Sequence, residues 1–240
     1  MACLEVCISS DNLAKMTVNI SSAYQAGAQR IELCAAMELD GLTPEIAAVT
    51  LARQAFKDRA GLLVMIRPRA GDFHYDEAEI LLMLQQIQQV ADAGADGVVF
   101  GALDKLNTSI DMHTMERFLS LSKRLNLEVG FHRAFDAITD REQALQQLKQ
   151  LNVKRVLTSG TVWGESTSAL SGINTLVKLI GLAKQDIEIV ISGSINPLNA
   201  RTIFDQITQL KTLVSFHSYS SVLTNGEINQ DTVKALLKID

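Results

Sequence analysis

Ala93-Gly94-Ala95-Asp96-Gly97-Val98 repeats the pattern of Ala26-Gly27-Ala28-Gln29-Arg30-Ile31. Each stretch reads as a helix end, a glycine that closes it, and the first residues of a strand. An αβ corner used more than once is what a barrel or a doubly wound sheet needs.

Outward from these corners, short apolar runs alternate with longer amphipathic segments. The strand candidates are Cys3–Ile8, Arg30–Cys34, Leu62–Ile66, Gly97–Phe100, Glu128–Phe131, Arg155–Leu157, Glu188–Ile191 and Leu213–Phe216. Most are nearly continuous apolar runs, as parallel strands covered on both faces require. Between them, Ala78–Ala93 places Ile80, Leu81, Leu84, Ile87, Val90 and Ala91 on one helical stripe. Arg141–Leu151 and Gln230–Lys238 are further helix candidates. Thr43-Pro44-Glu45 reads as a helix start with proline at its first position. Asp11, Asp76, Asp111 and Asp140 stand where a carboxylate meets free N–H groups. Eight strand–helix units favour a (β/α)₈ TIM barrel of the α/β class, a single domain over residues 1–240. The 240-residue length agrees with the roughly 250 typical of that fold. No GxGxxG follows the first strand, which argues against a dinucleotide-binding sheet.

The bulk numbers narrow the function classes. A net charge of −5 argues against nonspecific binding to nucleic acid and to anionic membranes, and says nothing about a local basic pocket. No apolar run approaches the roughly 20 residues of a membrane span. The N-terminus lacks a basic region ahead of an apolar one, so no signal peptide is expected. Three cysteines do not make a disulfide framework. A reducing, cytoplasmic setting follows, and a homo-oligomer, dimer or tetramer, is expected of such a barrel.

In this fold the working groups sit at strand C-termini. Glu5 and Cys7 are two apart on strand 1, and Glu32 and Cys34 are two apart on strand 2, so each pair shares a face. Strand 3 runs into Arg67-Pro68-Arg69-Ala70-Gly71-Asp72-Phe73. Strand 5 ends His132-Arg133-Ala134-Phe135-Asp136. Strands 6, 7 and 8 end in Thr158-Ser159-Gly160, Ser192-Gly193-Ser194 and His217-Ser218.

Two chemistries follow. Cys7 and Cys34 would end adjacent strands at one height, and paired thiolates suit Cu(I) better than Zn(II), because no third and fourth ligand follow at close spacing. The plainer alternative is two small buried side chains. The second chemistry is an enzyme site for a small anion, carboxylate or phosphate. Arg67 and Arg69, held to one side by the proline between them, would grip it together with Arg133. His132 would serve as general acid or base, oriented by Asp136 or Asp72, with Glu32 or Glu5 as a second proton carrier. Ser159, Gly193, His217 and Ser218 would complete the substrate site. Glu5 and Glu32 are equally well read as buried partners of Arg67 or Arg133. A protein that binds a metabolite without turning it over would share this pocket.

Leu4-Glu5-Val6-Cys7, Arg30-Ile31-Glu32-Leu33-Cys34, Gly41-Leu42-Thr43-Pro44, Ile66-Arg67-Pro68-Arg69-Ala70-Gly71-Asp72-Phe73, Gly94-Ala95-Asp96-Gly97-Val98-Val99-Phe100-Gly101, Phe131-His132-Arg133-Ala134-Phe135-Asp136 and Arg155-Val156-Leu157-Thr158-Ser159-Gly160 run in this order along the first two-thirds of the chain. Together they resemble the CutC family of copper homeostasis proteins. The match is looser at Ser192-Gly193-Ser194-Ile195 and at Tyr219. The resemblance implies a TIM barrel and copper handling in the cytoplasm, with Cu(I) held by Cys7 and Cys34.

Overall fold

Apolar strands with no polar face have to be covered on both sides. Leu62–Met65, Gly97–Phe100 and Arg155–Thr158 are buried along their whole length. In the computed structural model, which describes residues 3–165, 168–210 and 212–239, they lie in a closed barrel of eight parallel strands in chain order. The strands are β1 (Cys3–Ser9), β2 (Arg30–Cys34), β3 (Leu62–Met65), β4 (Gly97–Phe100), β5 (Glu128–Phe131), β6 (Arg155–Thr158), β7 (Glu188–Ile191) and β8 (Val214–Ser218). Pairing of β8 with β1 closes the ring.

The helices that alternate with them are α1 (Leu13–Ala26), α2 (Ile46–Phe56), α3 (Glu77–Asp92), α4 (Met112–Arg124), α5 (Arg141–Gln150), α6 (Ile173–Ala183), α7 (Pro197–Ile207) and α8 (Gln230–Leu237). Each turns one stripe onto the barrel. In α3 the buried residues are Ile80, Met83, Ile87 and Val90, a spacing of three and four. Leu81, expected on that stripe, is exposed and Met83 takes its place.

The Ala-Gly-Ala corner is a repeated hydrogen-bond motif. After α1, Gly27 is left-handed and the Ala28 N–H reaches back to the Ala23 carbonyl at 3.0 Å. After α3, Gly94 does the same and Ala95 bonds Val90 at 3.0 Å. Asn126 and Asn152 take the left-handed position after α4 and α5, with Leu127 bonded to Ser122 and Val153 to Leu148. Asparagine tolerates that conformation, so the corner recurs without its glycine.

Asp76, Asp111 and Asp140 cap helices as expected. Two other helix starts differ. Asn12, not Asp11, caps α1. The Asp11 carboxylate instead accepts the Ala36 N–H at 2.7 Å, which ties the loop after β1 to the loop after β2. Helix α2 begins at Ile46, beyond Thr43-Pro44-Glu45. The Thr43 hydroxyl accepts the Arg67 N–H at 2.8 Å, so Thr43 serves the loop after β3 rather than a helix.

Candidate metal and ligand site at the barrel mouth

Alternation along β1 sends Cys3, Glu5 and Cys7 to one face, and along β2 it sends Arg30, Glu32 and Cys34 to one face. Inside the barrel these six, with His217 of β8, make a column of polar groups rising to the mouth. Arg30 Nε donates to Glu5 at 3.1 Å, and its Nη atoms hold Glu188 at 2.7 and 3.2 Å. Glu5 Oε1 lies 2.9 Å from His217 Nδ1, and His217 Nε2 lies 3.6 Å from Glu32. The expected partners of Glu5 and Glu32 were Arg67 or Arg133. The partners found are Arg30 and His217, because the two glutamates point into the barrel while Arg67 and Arg133 belong to the loops above it.

The top of the column is soft. Cys7 Sγ is 3.9 Å from Cys34 Sγ and 3.9 Å from Met37 Sδ. Ligand atoms of Cys7, Glu32 and Cys34 all lie within 4.8 Å of one another. Strand adjacency and the turn after β2 thus bring a third donor atom to the thiol pair, which close spacing in the sequence did not supply. The Cys34 hydrogen bond, helped by His217 and opposed by burial, pulls the Cys7 thiol down to about 6. Donating its proton to the Cys7 sulfur pushes Cys34 well above the ordinary thiol range, and burial acts the same way. Burial pushes Glu32 up to about 8 although His217 opposes it. Burial also acts against Glu5, but His217 and Arg30 outweigh it and hold the carboxyl at about 2.

A cavity of about 250 Å³ opens above this column. Among the residues expected in a site, Cys7, Glu32, Cys34, Arg67, His132, Arg133, Gly193 and His217 line it. Arg69, Asp72, Asp136, Ser159 and Ser218 do not. Arg69 is turned away to bind Glu79 and, at 3.0 Å, Asp72, so it forms no clamp with Arg67. Asp136 is wholly buried behind the mouth. It accepts from Arg133 at 2.9 Å, from the Ser159 N–H at 3.0 Å and from the Thr158 and Ser159 hydroxyls. Ser218 Oγ donates to the Ile195 carbonyl at 2.8 Å. These groups brace the loops.

His132 is oriented by its own backbone, not by Asp136 or Asp72. Its Nδ1 accepts the Ala134 N–H at 3.2 Å, which leaves the ring proton on Nε2. The ring packs on Phe73 at 5.1 Å between centroids. Gly101 leaves the room it needs, since a Cβ there would stand 2.8 Å from Nδ1. Burial, aided by the Arg67 charge, pushes the imidazole down to about 3. A group so held is a neutral donor near pH 7 rather than a proton shuttle.

That state has a measurable consequence. Unfolded, the imidazole takes a proton below its ordinary value of 6.5, which the folded ring refuses until about 3. Its stabilising contribution is complete above pH 6.5 and falls by about 1.4 kcal/mol per pH unit below it. His132→Asn keeps an acceptor for Ala134 and removes the titration. Relative to the parent protein, the variant is expected to gain about 2 kcal/mol between pH 6 and pH 4.5, read by urea denaturation at both values. A pH-independent difference would show that the ring is protonated in the folded chain.

The profile of the CutC family matches residues 2–235. The chain belongs to the CutC family. A family protein CutC of Vibrio atlanticus (strain LGP32) is 39% identical over 201 residues, which cover 83% of this chain and 76% of that one. One of Bacteroides fragilis (strain YCH46) is 39% identical over 178 residues, covering 74% and 68%. Among solved structures, the chain is similar to a CutC protein of Streptococcus agalactiae whose name ties it to copper homeostasis. That match has a TM-score of 0.79 at 27% identity over 91% of this chain and 99% of that one. The likeness to 3-keto-L-gulonate-6-phosphate decarboxylase of Vibrio cholerae, TM-score 0.66 at 17% identity over 99% and 96% of the two chains, shows the barrel fold alone.

Sequence reasoning gave no role to several residues of the mouth. Met37, Met65, Trp163, Ser192 and Tyr219 all line the cavity. Met65 ends β3 two residues before Arg67, and it had a signal in the strand alternation that gave Glu5 and Cys7. Met37 and Trp163 arrive from turns whose path no local pattern specifies.

Proposed function

We propose that the chain handles copper by binding Cu(I) in the sulfur cluster of Cys7, Cys34 and Met37. One observation carries the reading: Cys7 Sγ lies 3.9 Å from each of two other sulfur atoms, one thiol and one thioether. Metal–sulfur bonds are about 2.3 Å long, and three such ligands around one ion stand about 4 Å apart. The donor set fits the ion. Thiolate and thioether are soft ligands that select Cu(I), whereas the harder imidazole and carboxylate sites suit other metals. A Cys7 thiol already lowered to about 6 gives up its proton at little cost, as thiolate ligation requires. Met37 sits in the turn after β2, at the solvent side of the pair, where it can receive the ion.

His217 and Glu5 support the cluster from below. Glu5 fixes the His217 ring through Nδ1 at 2.9 Å. The imidazolium beside Cys7 offsets the negative charge that one or two thiolates bring into a buried place. The free thiols fit a reducing compartment, and we place the activity in the cytoplasm.

The test is an oxygen-free titration of Cu(I) against a chromogenic chelator. The expected result is retention of one Cu(I) per chain at chelator concentrations that strip nonspecific sites. Complete loss of copper to the chelator would overturn the proposal.

A further inference from the structure

The other half of the cavity is built for a different guest. Arg67, His132 and Ser192 are 2%, 3% and 2% exposed. Yet among the described residues Arg67 Nε, His132 Nε2 and Ser192 Oγ find no hydrogen-bond partner. All three residues line the one cavity. An unmet buried donor costs about 1–3 kcal/mol. Three such atoms, on residues that line one cavity, leave that cost unrelieved, and an acceptor brought to them would remove it.

The charge balance says what kind of acceptor. Arg30, Arg69, Arg133 and Arg155 each hold a carboxylate. Arg67 does not. Its terminal nitrogens donate to the carbonyls of Leu39 at 2.9 Å, Gly41 at 3.3 Å and Gly71 at 3.1 Å. Asp40 presents to it a main-chain carbonyl at 3.4 Å. Four neutral-oxygen contacts fix the guanidinium, and the Asp40 carboxylate acts on it only through space without an ion pair, so a buried charge is left without a direct partner, which is costly. The partner that completes it is therefore an anion, and a single positive charge calls for a single negative one.

The walls add the rest. The Arg67 guanidinium and the His132 ring lie 5.0 and 5.1 Å from the same Phe73 ring. Trp163 meets Phe73 edge-on at 5.2 Å. A phosphate would have more acceptor sites than two N–H groups and one hydroxyl can satisfy, and no use for aromatic walls. We propose that this half of the cavity binds a small monocarboxylate with a short apolar or aromatic body. One carboxylate oxygen meets Arg67 Nε and the other His132 Nε2, with the Ser192 hydroxyl beside them and the body against Phe73 and Trp163. None of these contacts uses a sulfur atom, so the site stands or falls apart from copper.

Trp163 is the chain's single tryptophan and reports directly on the cavity. Copper-free protein is titrated with sodium benzoate, sodium butyrate, benzyl alcohol and inorganic phosphate, followed by Trp163 emission and by calorimetry. Saturable binding of benzoate or butyrate at concentrations up to about 10 mM is expected, with no binding of the alcohol. Arg67→Met and His132→Phe are each expected to weaken it by about 10-fold or more, the worth of one charge-assisted hydrogen bond. His132→Phe keeps the ring on Phe73 and carries the test if Arg67→Met fails to fold. Four results would overturn the proposal: no saturable carboxylate binding, equal binding of benzyl alcohol, binding of phosphate alone, or unchanged carboxylate affinity in folded His132→Phe.

Discussion

Arg30→Met is expected to destabilise the protein by about 3–5 kcal/mol, the largest loss from any single substitution considered for this barrel. Arg30 is the first residue of β2 and its side chain crosses the barrel interior. It holds Glu5 on β1, Glu188 on β7 and the Ser215 hydroxyl on β8, the last at 2.8 Å. Its side chain is 12% exposed, and those of Glu5 and Glu188 are 3% and 16% exposed. Methionine fills much of the space but leaves two carboxylates facing each other in a dry place. Arg155, 3.6 Å from Glu188, and His217, 2.9 Å from Glu5, each relieve one of them only in part. The cost is that of uncompensated charge, not of lost attraction, so it has a signature. Replacing Arg30, Glu5 and Glu188 together by apolar residues of similar volume is expected to recover most of the loss. Urea denaturation of the single and triple variants reads both. A single variant within about 1 kcal/mol of the parent would mean that water reaches the interior and screens these charges.

The second large effect concerns the metal. Cys7→Ser is expected to weaken Cu(I) retention by at least about 100-fold, beyond what loss of an outer-shell partner costs. Serine is nearly isosteric but offers a hard oxygen that stays protonated near pH 7. Cys34→Ser is expected to act in the same direction. Its thiol is held well above the usual range by donating to Cys7 and by burial, and a bound ion takes over the role of that proton. Met37→Leu keeps the volume of the turn residue and removes one thioether, so a smaller loss is expected. Cys3 lies at the opposite end of β1, and Cys3→Ser is expected to leave retention intact. Competition titrations of the four variants against one chelator give the order. Equal retention in Cys7→Ser and the parent would exclude the thiol pair as the copper site.

The barrel was legible in the sequence because its signals are local. Parallel strands write themselves as apolar runs, and the helix stop at Gly27 and Gly94 is a two-residue signature. The strand boundaries moved by no more than two residues. Where the reading missed a corner, at Asn126 and Asn152, asparagine had replaced the glycine in the same backbone state. The site was half legible. Period-two alternation placed Cys7 with Glu5 and Cys34 with Glu32, and carrying it one step further back would have found Arg30. What alternation does not give is which loop residues turn inward. Arg67 and Arg69 differ by two positions, yet one is buried in the mouth and the other pairs with Glu79 on α3. That choice is made by the carbonyls of the turn after β2, which come from residues 39 to 41. His132 and Asp136 looked like a proton-transfer pair because they are close in sequence. The short 3₁₀ turn Arg133–Ala137 sends one into the cavity and the other into the packing behind β6.

The same mouth therefore holds two chemistries side by side. Sulfur from β1, β2 and the turn after it gathers over His217. Donors from the loops after β3, β5 and β7 face the space beyond. Nothing in the geometry requires the two to be filled together, and the cavity of about 250 Å³ has room for a small molecule next to the sulfur cluster.

X-ray absorption at the copper edge on protein loaded with one equivalent of Cu(I) tests the sulfur site most directly. A first shell dominated by sulfur is expected, with the sulfur count falling in Met37→Leu and collapsing in Cys7→Ser. A shell dominated by nitrogen or oxygen, or one unchanged by Cys7→Ser, would contradict it.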